Sequence, residues 1–564
     1  MISMSPRAEP REASGGRSPE RSVALAGAGL AALLVLALMV GVGPVAFKFP
    51  AHAPIAASVD ATRVVDVPDP AGEGPASPSV VDESGTSMRP FEAQLIEGLV
   101  GMRVYSTHSG GPIAARWAYL PGDHPVNAEI DAWIRAQLDA HARNYGDGAY
   151  HPRAGTLPGG LGADRTCSRG GSLRPLGQIA GDLDQLPPIA SGDTGLVISC
   201  DIIVANGDAY GIRLRASELA DDGLSLRVLS DVTQTFFADL GGRETGVGAD
   251  LVAEPQGTRV TAIVADALSA LPIVKPTGHP PTLRSEIDDA ALLHDVAFGP
   301  SGELIVRLAP DLIEGGRLGD APIEVRIPPV ELAGAFSPLG VAARTAVANG
   351  EAWNGEARPA GLNRLSCDLV PCIGLTFDDG PGPYTGAILD AFDAAHATGS
   401  FFVLGERVAA MPQLVARMAD EGHVIGNHTY SHMNFSINAV WRIQDELRMT
   451  NEAVEAAAGV RPEYMRPPWA IFFVQDTKWY GLPVVLWTAD SKDWKDPGVG
   501  AIVQGVMRNA VPGAIILFHD THAGTAQAMP DILEQLESEG YYVAGLDDLI
   551  GHPTMTTVTM HGQR

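Results

Sequence analysis

The strongest constraint on the fold is an apolar run that ends in two adjacent carboxylates and a turn. Residues 373–381 read Ile-Gly-Leu-Thr-Phe-Asp-Asp-Gly-Pro, with Asp378 and Asp379 at the end of a buried strand. Successive strand residues point to opposite faces, so two functional carboxylates side by side indicate that the strand has already ended. In α/β folds, the carboxyl ends of parallel strands carry the chemistry. A turn without any function would explain Asp-Gly-Pro equally well. The motifs further along the chain decide between the two interpretations.

From Cys367 onward, predicted strands and helices alternate. The strands are expected at 373–377, 400–404, 423–425, 464–466, 483–487, 514–518 and 541–544, and the helices at 385–396, 407–421, 437–458 and 529–539. Repeated βα units over about 180 residues indicate a parallel sheet, closed as a barrel or open and doubly wound. The stretch is short for a complete eight-unit barrel, which takes about 250 residues.

Two histidines four residues apart follow the third predicted strand. His428 and His432 lie in the sequence Gly-Asn-His-Thr-Tyr-Ser-His. On a helical turn they would share a face, as metal-binding histidine pairs do. With Asp379 they form an Asp/His/His set suited to zinc or another divalent ion. The alternative is a pair of turn histidines whose ring nitrogens are satisfied by the backbone.

Three further strand ends carry polar and aromatic residues. They are Arg-Pro-Pro-Trp-Ala at 466–470, Asp-Ser-Lys-Asp-Trp at 490–494 and Leu-Phe-His-Asp at 517–520. Together with the first two motifs, and in this order, they resemble the polysaccharide deacetylase (NodB-homology, carbohydrate esterase family 4) domain. The resemblance covers residues 367–551 and implies an α/β fold, a distorted and incomplete (β/α) barrel.

The resemblance implies a role for each matching residue. Asp378 looks like the general base that activates water, and Arg466 would pair with it and keep it ionised. Asp379, His428 and His432 look like the ligands of a divalent metal ion. That ion is expected to be zinc, with cobalt or manganese as alternatives. An adjacent arginine favours a charged aspartate, so the assignment agrees with the chemistry.

His519 resembles the general acid that protonates the leaving amine, and Asp493 would hydrogen-bond and tune it. A histidine is the acid best matched to neutral pH. Trp494 and Leu517 would wall the pocket for the acetyl methyl group. The implied substrate contacts are Pro468, Trp469, Trp494 and Leu517.

One position departs from the family pattern. The family usually has Tyr-Gly where this chain has Trp469 and Ala470. The resemblance implies that the backbone N–H of the aromatic residue donates to the oxyanion, and this survives the change. Alanine adopts positive φ less readily than glycine, so substrate preference is the property put in doubt.

The N-terminal part of the chain predicts a membrane anchor. Residues 1–22 contain four arginines, and residues 23–42 run without a charge. About 20 apolar residues cross a bilayer. The arginines favour a cytoplasmic tail over 1–22, a single transmembrane helix over 23–46 and a catalytic domain outside the cell. A cleaved signal peptide and a secreted product are the alternative, although such an apolar core usually has only about 7–15 residues.

The composition of the remaining segments suggests the domain boundaries. Residues 47–90 are rich in Pro, Ala, Ser and Asp and predict a disordered linker. Residues 91–339 are predicted to form an α+β extracellular domain whose role stays open. It has a helix from Val126 to Leu138 and strands at 196–204, 224–232, 260–264, 303–309 and 323–327. Within it, residues 295–339 faintly resemble an extracytoplasmic domain found in some wall deacetylases and in lysozyme-sensing anti-sigma factors. Residues 340–366 predict a second linker, and 552–564 a tail.

Charge and cysteine content narrow the classes further. Lys and Arg number 39 against 67 Asp and Glu, a formal charge of −28. This excludes nucleic acid as a partner, since a nucleic-acid binder needs a basic footprint. The four cysteines fall into two groups, Cys167 with Cys200 and Cys367 with Cys372. One disulfide in each region is expected for an exported chain, and four buried thiols for a cytosolic one.

These features predict a membrane-anchored, metal-dependent hydrolase that removes acetyl groups from N-acetylated amino sugars of cell-wall peptidoglycan. Chitin-type oligomers are the alternative substrate. A second hypothesis is a wall-binding or lysozyme-sensing surface protein whose deacetylase domain is inert. The choice between N-acetylglucosamine and N-acetylmuramic acid stays open, as does the oligomeric state.

Overall fold

The structure is a computed structural model. It describes residues 63–66, 96–108, 111–146, 148–155, 167, 194–221, 226–253, 256–271, 280–314 and 323–562. The predicted cytoplasmic tail and anchor, 1–46, lie outside the described residues. Among the residues described, no helix combines the length and the hydropathy needed to cross a bilayer. The anchor therefore stays a prediction.

The first part of the described chain contains helices and mostly antiparallel strands. Its elements are β1 (Arg63–Asp66), β2 (Val100–His108), β3 (Gly111–Tyr119), α1 (Pro125–Tyr145), β4 (Thr194–Asn206), β5 (Ala209–Asp221), β6 (Leu226–Asp239), β7 (Glu244–Val247), α2 (Gly257–Ser269), β8 (Thr282–Leu283), α3 (Asp289–Leu292), β9 (Val296–Phe298), β10 (Leu304–Leu308), β11 (Ile313–Glu314), β12 (Ile323–Ile327) and α4 (Pro338–Asn349).

Two larger sheets organise this part. One has the order β2-β3-β4-β5-β6-β7, with only β3 and β4 parallel, and the other has the order β1-β12-β10-β9. Helix α1 buries Ile130, Ile134 and Leu138, which recur every fourth residue. The helix predicted from Val126 to Leu138 is thus confirmed, as are the strands predicted near 196–204, 303–309 and 323–327.

Two local expectations for this part are wrong. The strand predicted at 260–264 lies inside α2, because Val260, Val264 and Leu268 are buried at helical spacing. Packing of that face overrides the strand preference of valine. Within the predicted disordered linker 47–90, residues Arg63–Asp66 form β1 and pair in parallel with β12.

The segment predicted as the linker 340–366 is also structured. Ser337 caps α4, its Oγ accepting from the Gly340 N–H at 3.1 Å, and the helix buries Ala343 and Ala346. Beyond the helix, Arg364 Nε donates to the Asp131 carboxylate at 2.9 Å. A linker would leave these residues in solvent, whereas here they contact α1 and the second sheet's core.

The second part of the chain carries the parallel sheet. Its elements are β13 (Cys372–Gly380), α5 (Thr385–Ala394), β14 (Ser400–Val403), α6 (Gly405–Ala410), α7 (Pro412–Asp420), β15 (Val424–Asn427), α8 (Val440–Ala458), α9 (Thr477–Tyr480), β16 (Val484–Val485), β17 (Ala489–Asp490), α10 (Val499–Met507), β18 (Ile515–His519), α11 (Ala523–Ser538), β19 (Tyr542–Val543), α12 (Leu546–Ile550) and β20 (Val558–Thr559).

The parallel strands form a distorted barrel. Their order is β15-β14-β13-β18-β17, with β19 also on β13 and a separate pair β16-β20. The predicted strand 464–466 is reduced to one residue, Met465, which bridges Asn427 to Val484. The predicted tail 552–564 also differs, because it contributes β20 and a bridge from His561 to Ala514. The C-terminal segment therefore helps to close the barrel.

The two parts share one hydrophobic core. A single buried cluster contains Ile134 and Leu138 from α1 together with Leu369, Val370 and Ile515 from the barrel. Tyr150 Oη donates to the Leu369 carbonyl oxygen at 2.9 Å across the same boundary. Each part also has a buried cluster of its own, and the shared cluster packs the first part directly against the barrel.

Both expected disulfides are present. Cys167–Cys200 has a Cα–Cα distance of 5.3 Å and Cys367–Cys372 one of 5.5 Å. All four cysteines belong to the shared cluster. The second disulfide lies at the start of β13, on the side facing the first part.

The shared core predicts one cooperative unfolding transition. Leu369→Ala should lower the free energy of unfolding by about 2–5 kcal/mol, because it leaves a cavity between the two parts. Calorimetry should show both parts shifting together. Leu362→Ala, at a side chain exposed at 44%, is the control and should have little effect. Two transitions, with only one of them shifted, would contradict the shared core.

Candidate active site

The predicted site residues meet at the carboxyl edge of the parallel sheet. Strand β13 lies between β14 and β18, and its register places Asp378 opposite Phe402 on one side and His519 on the other. Parallel strands end at the same edge. This pairing therefore brings the first and the last motif of the sequence together.

Asp378 and Asp379 both serve the site, although the strand does not end before them. Strand β13 continues to Gly380, with a register shift between Asp378 and Gly380. Asp379 adopts φ 72°, in the left-handed region. This bulge takes Asp379 out of the alternation of strand faces, so that both carboxylates can face the site. The expectation that the strand ends before them is therefore wrong.

A fully buried arginine holds Asp378. Arg466 Nη1 donates to Asp378 Oδ1 at 2.8 Å and to Thr376 Oγ1 at 2.9 Å. Its Nε donates to the Val485 carbonyl oxygen at 2.9 Å, and its Nη2 to that of Leu486 at 3.0 Å. Burial lowers the pKa of Arg466 and the charge of Asp378 raises it. The guanidinium therefore holds the Asp378 carboxylate in place through a charge-assisted hydrogen bond.

The two histidines occupy a loop, which corrects the expected helical turn. They follow β15, and Thr429 and His432 have φ values of 73° and 59°. The Glu446 carboxylate accepts from the N–H groups of Tyr430 and Ser431 at 2.9 and 2.7 Å and fixes the loop. The rings of His428 and His432 still come within 5.2 Å, centroid to centroid.

Asp379, His428 and His432 have the geometry of a metal-binding set. One ligand atom from each lies within 4.8 Å of the others. His428 Nδ1 lies 2.7 Å from the Arg466 carbonyl oxygen, so its Nε2 is the nitrogen that faces Asp379. Asp379 Oδ1 is buried and receives no hydrogen bond. Such an unsatisfied oxygen between two imidazoles fits a divalent cation.

His519 is held and charged by Asp493. Its Nδ1 lies 2.9 Å from Asp493 Oδ1, and its backbone N–H donates to Asp493 Oδ2 at 2.6 Å. Burial alone would lower the pKa of His519. The hydrogen bond and charge of Asp493, joined by Asp378 and Asp379, raise it to about 9. His519 is therefore protonated at neutral pH and presents its Nε2–H to the site.

The predicted substrate contacts fall into exposed and buried pairs. Trp469 and Trp494 are exposed, whereas Pro468 and Leu517 are buried. The Trp469 ring meets the His432 ring edge-on at 4.2 Å. Leu517 pairs with Thr376 in the β13–β18 register, and its place as a wall of the acetyl pocket stays a prediction.

Trp469 and Ala470 both adopt left-handed backbone conformations, with φ 55° at each. A side chain in this region costs roughly 1–2 kcal/mol, and glycine avoids the cost. The chain therefore places two residues other than glycine in the left-handed region at this loop and stores strain at the rim of the site.

Asp520 is a site residue to which the sequence reasoning gave no role. It is fully buried, and Thr385 Oγ1 donates to its Oδ2 at 2.6 Å. Burial raises its pKa to about 7, with the charge of Asp379 adding to the effect. A Cβ on Gly380 would lie 2.0 Å from Asp520 Oδ2. The glycine of the Asp-Gly-Pro turn thus leaves room for this carboxylate. In the sequence, the position of the acid directly after His519 is the signal that could have identified it.

Comparisons with known proteins agree with this geometry. A family model described as Polysaccharide deacetylase matches residues 367–478. The peptidoglycan-N-acetylmuramic acid deacetylase PdaA of Bacillus subtilis is 38% identical over 186 residues, which are 32% of this chain and 71% of the relative. The chain belongs to the polysaccharide deacetylase family.

Other family members cover the same part of the chain. The peptidoglycan-N-acetylglucosamine deacetylase PgdA of Listeria monocytogenes is 36% identical over 180 residues, 32% of this chain and 39% of the relative. This deacetylase-family chain thus spans about two fifths of that relative's length. The solved structure of the peptidoglycan deacetylase PdaC from Bacillus subtilis is 35% identical. The match covers 31% of this chain and 88% of that one, with a TM-score of 0.31.

The Asp493 contact predicts the proton affinity of His519. Asp493→Asn should lower the pKa of His519 from about 9 to its ordinary value of about 6.5 or below, since burial remains and the opposing charge is gone. An NMR titration of the imidazole measures this. Asp490→Asn, at the end of β17 and bonded instead to the Lys492 N–H, is the control. An unchanged His519 pKa in Asp493→Asn would refute the assignment.

The strained loop predicts an unusual stabilising substitution. Ala470→Gly should raise the free energy of unfolding by about 1 kcal/mol, because glycine adopts φ 55° freely. Ala456→Gly, at an exposed position inside α8, should lower it by about 0.5–1 kcal/mol. Denaturant unfolding compares the two. If both variants lose stability alike, the left-handed strain at Ala470 is absent.

Proposed function

We propose that this chain hydrolyses the acetamide of N-acetylated amino sugars in cell-wall peptidoglycan and releases acetate. One arrangement carries the proposal. Three groups meet at one edge of the sheet. They are a carboxylate held by an arginine, an Asp/His/His set and an imidazolium held by a carboxylate. Amide hydrolysis needs a base for water, stabilisation of the oxyanion and an acid for a poor leaving group. Each need is matched by one of the three groups.

The chain's own residues supply the proton transfers. Asp378, held by Arg466, takes a proton from water as the water oxygen attacks the acetamide carbonyl carbon, and the carbonyl electrons move to oxygen. The carbonyl then reforms and the C–N bond breaks. His519 gives its Nε2 proton to the departing nitrogen, so acetate and a free amine leave. Exchange with solvent restores both groups.

The metal set adds electrophilic chemistry. A zinc ion held by Asp379, His428 and His432, or cobalt or manganese in its place, would polarise the carbonyl and lower the pKa of water. Burial lowers the pKa of His432, so this ring is neutral at pH 7, as a ligand must be. The Arg466 carbonyl fixes the His428 ring by accepting from its Nδ1–H.

Peptidoglycan is favoured over chitin as the substrate. All three of the relatives described above are named for peptidoglycan. Acetate release from defined muropeptides against chitotetraose tests the choice. A several-fold higher kcat/KM on muropeptides supports peptidoglycan, and the reverse order would make chitin-type oligomers the substrate.

The predicted anchor would hold the enzyme at the cell surface. Its support is the run of uncharged residues at 23–42 behind the arginines of 1–22. N-terminal sequencing of the mature protein tests it. An intact N-terminus in the membrane fraction is expected, and a mature N-terminus near residues 51–58 would mean a secreted enzyme.

Separate roles for base and ligand predict two distinguishable variants. Asp378→Asn should lower kcat by about 10²–10⁴, as expected for a lost general base, yet retain metal. His428→Ala should lose both metal and activity. Acetate assays and elemental analysis measure the two properties. Asp390→Asn, at an exposed acid paired with Arg417, is the control. Near-normal turnover in Asp378→Asn would show that another group is the base.

A further inference from the structure

The exposed tryptophans are concentrated in one part of the chain. Of the eight tryptophans, four are exposed, and within the described residues all four lie between 441 and 494. Trp469 and Trp494 belong to the candidate site. Trp441 and Trp479 are exposed at 62% and 54% and have no role in the chemistry above. Large aromatic side chains left in solvent together indicate a binding surface.

Trp441 and Trp479 lie on the same side of the molecule. Trp441 is in the first turn of α8, and Gln444, three residues further on, shares its helix face. Gln444 Nε2 donates to the Trp479 carbonyl oxygen at 2.9 Å and so ties α9 to that face. We name Ile437, Trp441, Arg442, Lys478 and Trp479 the tryptophan face.

The tryptophan face rests on a buried aromatic contact and begins five residues after the ligand His432. Beneath it, Phe435 and Tyr480 contact each other with ring centroids 5.3 Å apart, inside a buried cluster. Phe435 lies three residues after the ligand His432. Ile437, exposed at 81%, follows two residues later, and five residues of chain span at most roughly 18 Å. A polymer seated at the metal set can therefore reach the face.

Unpaired cations give the face its charge. The Arg442 guanidinium lies 5.4 Å from the Trp441 ring centroid, and the Lys478 ammonium 5.2 Å from that of Trp479. Neither forms an ion pair with an acid of the described residues. Of the nearby acids, Asp445 pairs with Arg448 and Glu446 accepts from the loop N–H groups. A third, Asp476, lies two residues before Lys478 and forms no ion pair with it.

The few lysines of the chain are concentrated near the exposed tryptophans. The chain has five lysines and a formal charge of −28, yet three of the lysines lie at 478, 492 and 495. Each of these lies within two residues of an exposed tryptophan. Flat apolar rings beside free cations complement a ligand with apolar ring faces and carboxylates.

We propose that the tryptophan face binds a carboxylate-bearing stretch of the glycan strand, some sugars away from the acetamide being cleaved. Pyranose C–H faces would stack on Trp441 and Trp479, while Arg442 and Lys478 meet carboxylates of the strand. The proposal rests on the proposed function and narrows its substrate to an acid-bearing polymer such as peptidoglycan. Neutral chitin offers the rings without the charge.

Binding to insoluble peptidoglycan tests this without turnover. In the full chain carrying Asp378→Asn, Trp441→Ala/Trp479→Ala should weaken co-sedimentation with peptidoglycan by about tenfold or more. Arg442→Gln/Lys478→Gln should weaken it several-fold at low salt, with little change on chitin. Met449→Ala, on the same helix, and Arg461→Gln, at an exposed arginine paired with Glu455, are the controls and should bind as the parent does.

Three outcomes would overturn the inference. Unchanged peptidoglycan binding in the tryptophan variant removes the face from substrate recognition. An equal loss on chitin in the charge variant removes the acidic specificity. Quenching of the Trp441 and Trp479 emission by brominated phosphatidylglycerol, with the chain in vesicles, makes the face a membrane contact. If no glycan is deacetylated while the tryptophan-dependent binding persists, the proposed function fails and this inference stands.

Discussion

The buried pair of Arg466 and Asp378 is the interaction on which the site depends. Removing a guanidinium from water costs several kcal/mol, so each of its donors needs a partner. The partners are Asp378 and Thr376 on β13 and the carbonyls of residues 485 and 486, and the Phe402 ring lies 4.1 Å from the guanidinium carbon. The oxygen atoms that bind the guanidinium thus also hold together the strands that carry them. The Asp378 carboxylate is in position only when both of these strands are in position.

This dependence extends to the end of the chain. The Val484 N–H donates to the Thr557 carbonyl oxygen at 3.1 Å, and the Leu486 N–H to that of Thr559 at 2.8 Å. Residues 485 and 486 are the ones whose carbonyls receive Arg466. A segment that looks like a dispensable tail therefore holds the strand that holds the arginine, three contacts away from the carboxylate.

The parts predictable from the sequence are those that local pattern and strand topology determine. The helix from Val126 to Leu138 follows from apolar spacing, and the strand through Phe377 from an unbroken apolar run. The convergence of Asp378, Arg466 and His519 follows because parallel strands end at one edge, wherever the residues fall along the chain. The disulfide pairs follow from their grouping in two regions.

The parts that could not be predicted depend on contacts distant in sequence. Nothing near His428 shows that Glu446 will hold its loop out of a helix, or that a bulge at Asp379 will replace the strand end. The same holds for the boundary of the barrel. Leu369 lies in a segment that reads as the exit from a linker, yet it is buried beside α1. The composition of a segment describes that segment alone, whereas its burial depends also on the second surface that packs against it. Removing the first part of this chain would therefore expose the apolar surface around Leu369 at the start of the barrel.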